Sequence, residues 1–172
     1  MNKLYALKNF GFKISWNLIA IGLFGKDEIP TLITKIDILE YLYDSLTNIN
    51  EQTKDIVTLI CEQDNSEKFN SFIKRLAQKD SADIVVQKRK WRAYLLKDLI
   101  DNINDDSLQG MLELMEFWIS MGLPTDCPQK IPSSDNQNSL QDYFSQASYE
   151  FNLDKNQKWL KEEILRIIEL ED

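Results

Sequence analysis

Histidine is absent from the 172 residues of this chain. With it go the usual general base of Ser-His and Cys-His nucleophilic sites, the commonest metal ligand, and the one side chain that titrates near neutrality unaided. Glycine is scarce, at five residues, so few positions suit positive φ and few hairpins are expected. The sequence has no GxxxxGK[ST] or GxGxxG run to cradle phosphate and no D-x-D-x-D-G loop of the EF-hand kind. Hydrolases, kinases and Rossmann dehydrogenases are therefore poorly served, and no cofactor or metal is expected. The two cysteines, Cys61 and Cys127, lack CxxC spacing, which argues against a disulfide framework or thiolate zinc site and fits reduced thiols in the cytoplasm. The apolar run "LIAIGLFG" follows Lys3, Lys8 and Lys13 but is too short to span a bilayer. It leads into "KDEIP" rather than a cleavage site, so neither secretion nor membrane insertion is expected.

Helical periodicity is abundant. An all-α, single-domain irregular bundle of about seven to eight helices over residues 1–172 is expected, long enough to bury roughly 70% of the unfolded surface. "ISWNLIAIGLFG" predicts a buried helix from Ser15 to near Gly25, with a strand as the alternative. "TKIDILEYLYDSL" pairs Thr34 with Asp37 in capping-box spacing and sets Ile36, Leu39, Tyr43 and Leu46 on the inner stripe. "NEQTKDIVTLICEQ" places Ile56, Val57, Ile60 and Cys61 inward, making Cys61 a small core residue. In "SEKFNSFIKRLAQKD", Ser66 is the cap, and Phe69, Phe72, Ile73, Leu76 and Ala77 form the apolar side.

"KRKWRAYLLKDLIDNI" carries Leu95, Leu96, Leu99, Ile100 and Ile103. "DDSLQGMLELMEFWISMG" carries Leu108, Met111, Leu112, Met115, Trp118 and Ile119, and Gly122 then suits a left-handed stop, with Leu123 folding back and Pro124 forbidding continuation. Two final helices are expected, one capped by Ser139 and one beginning at Asp154 with Gln157 in capping-box spacing and a Leu160, Ile164, Ile167, Ile168 stripe. Between them and Gly122 lies an irregular connection at about 123–138 with three of the four prolines. It exceeds the roughly 12 to 15 residues of a plain connector and is expected to be functional or mobile.

Charge divides the chain. Residues 1–100 carry 15 Lys and Arg against 13 Asp and Glu, net +2, whereas residues 101–172 carry 5 against 15, net −10. Such a field repels nucleic acid and anionic membranes and attracts basic surfaces. The positive cluster Lys88, Arg89, Lys90 and Arg92 around Trp91 reads as a charged face with the indole inward, because arginines number only four and the whole chain stands at −8. Trp16, Trp118 and Trp159 read as core or half-buried packing. Glu113 and Glu116, with Asp105 and Asp106, offer oxygen ligands to a hard cation, against the plainer reading of a solvated acidic face. Cys127, beside Asp126 and Pro128, lacks a neighbour that would favour its thiolate.

The segments "ISWNLIAIGL", "KWRAYLLKDLI" and "GMLELMEFWISMGLPTDCP" give the chain a resemblance to small acidic bacterial proteins of unknown function, of the immunity-protein type from toxin–immunity systems. The resemblance spans most of the chain and rests on aromatic and apolar spacing. It implies no catalytic residue. It does imply a stoichiometric inhibitor that binds and blocks one toxin domain. An acidic helical protein meets a basic toxin surface by electrostatic steering, and the charge distribution then offers Asp101, Asp105, Asp106, Glu113, Glu116, Asp126 and Asp135 as the acidic contacts, with Leu123 and Pro124 as apolar ones. The alternatives are a helical adaptor or regulatory subunit and, more remotely, a carboxylate-metal enzyme.

Overall fold

A computed structural model describes residues 2–46, 53–129 and 140–171. Among them the chain forms α1 (Lys3–Asn9), α2 (Trp16–Phe24), α3 (Lys35–Ser45), α4 (Thr53–Cys61), α5 (Ser66–Lys79), α6 (Ile84–Asn102), α7 (Ser107–Ser120), α8 (Leu140–Tyr143) and α9 (Gln146–Glu171). The fold is all-α, and the only β-type pairing among the described residues is an isolated antiparallel bridge from Lys26 to Ile29. Contacts divide the chain into two units, Met1–Trp91 with Glu171–Asp172, and Arg92–Leu170.

In the first unit, α2 is a helix rather than the alternative strand. Ser15 caps it by accepting from Leu18 N, and Gly25 ends it at φ 72°. Thr34 and Asp37 form the expected capping box on α3, each side chain satisfying an end N–H that has no helical partner. Leu4, Leu7, Leu18, Ile38, Leu59, Phe69, Ile73 and Trp91 are buried together, and the Trp91 indole N–H donates to Leu18 O at 2.9 Å. Gly22 is required where it stands, since a Cβ there would collide with the Trp91 ring. Helix α1, unforeseen in the sequence, is capped by Asn2, whose amide also reaches Asp37 O at 2.7 Å.

Several expected faces are corrected. On α3 the buried pair is Ile38 and Leu42, while Ile36 is 66% exposed and Tyr43 47%. On α4 it is Ile56 and Leu59; Val57 and Cys61 face solvent, so Cys61 is not a core residue. Both helices carry apolar residues on more than one side, and spacing alone does not choose the inward phase. The cap of α5 is Asn65, which accepts from Lys68 N at 3.0 Å, one residue before Ser66. Lys90 is no part of a solvated face. It is fully buried and donates to Lys13 O at 2.6 Å, to Gln87 Oε1 at 2.8 Å and to the Glu171 carboxylate, which together replace its hydration.

In the second unit, Leu96, Met111, Leu114, Trp118, Tyr149, Trp159, Leu160 and Ile167 are buried. Trp118 and Trp159 meet edge to face, centroids 5.0 Å apart and planes at 86°. The two helices expected at the end of the chain are separated differently: α9 runs unbroken through Asp154, whose carboxylate pairs with Lys158 one turn on instead of capping. No glycine or proline lies between 146 and 171 to stop it, and the hydroxyl accepting at its start is that of Ser145, from Ser148 N at 3.3 Å. The expected cap Ser139 lies outside the described residues, as does 130–138 of the irregular connection.

Candidate functional site

Helix α7 organises the acidic region. Asp106 caps it, accepting from Gln109 N at 2.9 Å, and so satisfies an orphan donor where negative charge also suits the helix dipole. Its C-terminal end closes in a Schellman arrangement: Gly122 N donates to Ile119 O at 3.0 Å and Leu123 N to Trp118 O at 2.9 Å, with Gly122 at φ 74°. Leu123 follows at φ 48°, an uncommon conformation for leucine, and is 49% exposed. Pro124 O accepts from Cys127 N at 2.9 Å, turning the chain back.

All the expected site residues except Asp135, which lies outside the described residues, fall in the Arg92–Leu170 unit. They are not gathered at one end of α7: Asp101 lies on α6, Asp106 caps the start of α7, Glu113 and Glu116 lie within it, and Leu123 and Pro124 follow its end, the 14-residue helix itself being on the order of 21 Å long. Asp101 is exposed and paired with Lys97 one turn back. Asp105 and Glu116 are exposed. Glu113 braces the α6–α7 turn, accepting from Asn104 N at 3.1 Å and from Gln109 Nε2 at 3.2 Å. Among the described residues no group of three or more His, Cys, Asp or Glu is placed to hold a metal ion.

Asp126 belongs to a network that local sequence patterns do not disclose. Arg92 Nη2 donates to Asp126 Oδ2 at 3.1 Å and to Glu163 Oε1 at 3.3 Å. Its guanidinium lies 4.9 Å from the centroid of Trp159 and 6.0 Å from that of Trp118. Glu163 is completely buried, and Arg166 approaches its other oxygen at 4.0 Å. Two carboxylates on one guanidinium, with aromatic faces excluding water, tie the turn after α7 to α9. Glu163 carried one legible signal, since Asn156, Leu160, Glu163 and Ile167 repeat at four, three and four residues and all are buried. Arg92 carried none, because its partners stand 34 and 71 residues away.

Cys127 is half-buried. Burial, reinforced by the Asp126 charge, pushes its thiol pKa up against the smaller opposing effects of the Gln129 backbone and Arg92. It is a poor nucleophile at neutral pH. The Tyr149 phenol, donating to Asn104 O at 2.9 Å, is likewise pushed up, first by burial and then by Asp105 and Glu113. In the first unit a cleft of about 270 Å³ opens between α2 and α5, walled by Ile21, Phe24 and Ile84, with the Lys74 ammonium 4.9 Å from the Phe24 centroid.

No helix among the described residues is long and apolar enough to cross a membrane. Neither a curated protein nor a solved structure matches the chain. Over residues 5–164 it matches, and so belongs to, the family described as uncharacterized protein conserved in bacteria (DUF2247).

Proposed function

We propose that the chain is a non-catalytic binding protein that holds a basic protein domain in a stoichiometric inhibitory complex, as an immunity protein holds its toxin, in the cytoplasm. The observation that carries this reading is the concentration of charge: residues 101–172 hold 15 acidic and 5 basic side chains. Several of the acids are already fixed by short-range partners, as at Asp101, Asp106, Glu113 and Asp126. Ordered carboxylates lose little entropy on binding, and their field accelerates encounter with a positive surface. Asp101 on α6, Asp106 and Glu113 at the start and middle of α7 and Asp126 beyond its end are set apart from one another along the chain, which suits a surface contact better than turnover at one atom and favours binding over a carboxylate-metal enzyme. An adaptor would share the surface but would leave its partner's activity intact.

The test is association kinetics between the full chain and a basic toxin domain encoded by a neighbouring gene, whose absence would itself count against the proposal. The on-rate is expected to fall steeply as salt rises while the off-rate changes little. A salt-independent on-rate, or no complex, contradicts the proposal.

A further inference from the structure

Helix α7 is apolar on two sides. Met111, Leu114 and Trp118 point into the unit and are buried. Leu108, Leu112, Met115 and Ile119 recur at intervals of four, three and four residues, the spacing of a coiled-coil seam. At 100° per residue they fall within an arc of roughly 60°. This second stripe is open: Leu108 is 50% exposed and Ile119 53%, with Leu112 and Met115 partly covered between them.

The stripe has a charged margin. Glu116 lies about 70° around the helix from the centre of the stripe, on the side away from the buried face, and is exposed. An apolar strip with a carboxylate at its margin, in a segment of net −10, is complementary to a helix with leucine-like residues on one side and lysine or arginine beside them. A second copy of this chain would bring the same carboxylates against one another.

We propose that the outward face of α7, from Leu108 to Ile119, receives a basic amphipathic helix of the partner protein. This rests on the reading of the chain as a binder of basic domains and names its contact surface. Leu112, Met115 and Ile119 supply the apolar anchors, and Glu116 sets the orientation of the incoming cations. One helix pairing is a small interface, so an isolated helix binds with a Kd on the order of micromolar.

The probe is a fluorescein-labelled synthetic peptide of roughly three heptads, leucine at its a and d positions and lysine elsewhere, with an all-glutamate counterpart. Anisotropy against the full chain should show the lysine peptide binding and the glutamate peptide not. Ile119→Arg should weaken binding by about 30-fold, as loss of an interface anchor does. Leu165→Arg adds the same charge at another exposed apolar site, 61% exposed on α9, and should stay within about 2-fold of the parent. Circular dichroism melting establishes that both variants fold. Equal binding by Ile119→Arg and the parent, equal loss in both variants, or no binding of the lysine peptide overturns the proposal. So does a dimer in sedimentation that Ile119→Arg dissociates. If Ile119→Arg neutralises the toxin domain as the parent does, the docking face is wrong while the inhibitory function stands. If the parent itself does not bind that domain, the function fails.

Discussion

Arg92, Trp118 and Trp159 show how the environment of one atom decides what a side chain is worth. The Trp118 indole N–H donates to Asn156 Oδ1 at 2.7 Å, and Asn156 is itself fully buried. The Trp159 N–H, equally enclosed, has no hydrogen-bond acceptor among the described residues. Replacing either with phenylalanine removes the same volume. Only Trp118→Phe strands a buried acceptor, whereas Trp159→Phe deletes a donor already unsatisfied and keeps a ring for the Arg92 guanidinium. Trp118→Phe is therefore expected to destabilise the protein by about 1 to 3 kcal/mol more than Trp159→Phe. Urea denaturation with matched m-values measures the difference, and equal losses would mean that the hydrogen bond contributes nothing.

At the scale of elements, two glycines separate crowding from backbone conformation. A Cβ on Gly110 would stand 2.5 Å from the Tyr149 ring and 2.7 Å from Asn104 O. Gly110→Ala should lose about 1 to 3 kcal/mol through that overlap, despite alanine's better helix propensity. At Gly122 no atom lies within 4 Å of the added carbon, but φ is 74°, so Gly122→Ala should lose only about 1 kcal/mol, by conformation alone. Thermal melts of the two variants check the order; a neutral Gly110→Ala would mean that the α6–α7 turn yields readily. What is legible in the sequence follows the same division. Ser15, Thr34 with Asp37, and Gly122 are readable because an end of a helix needs a particular side chain at a particular place. The inward phases of α3 and α4 are not, because apolar residues surround those helices. On α7 the expected stripe merges two faces, one buried and one open, and Leu114 is missing from it. The cap at Asp154 fails because a carboxylate three residues before a glutamine serves as well in an i,i+4 pair with Lys158.

For the whole molecule, composition is the more reliable guide. Charge segregation is exact in the sequence, and the eight described candidates all lie in the one acidic unit. The Arg92 network escapes sequence reading because long-range partners leave no local period. In the acidic unit the candidate carboxylates are shared between the end of α6, the start and middle of α7 and the turn after it, and among the described residues no three are grouped to hold a metal ion; the proposal of a protein partner builds on that distribution. The most direct measurement is a titration of the basic toxin domain's activity with the full chain. Activity should fall linearly and vanish at one equivalent, with no change on prolonged incubation. Complete loss at a small fraction of an equivalent, growing with time, would reveal turnover and contradict a stoichiometric inhibitor, as would undiminished activity at excess.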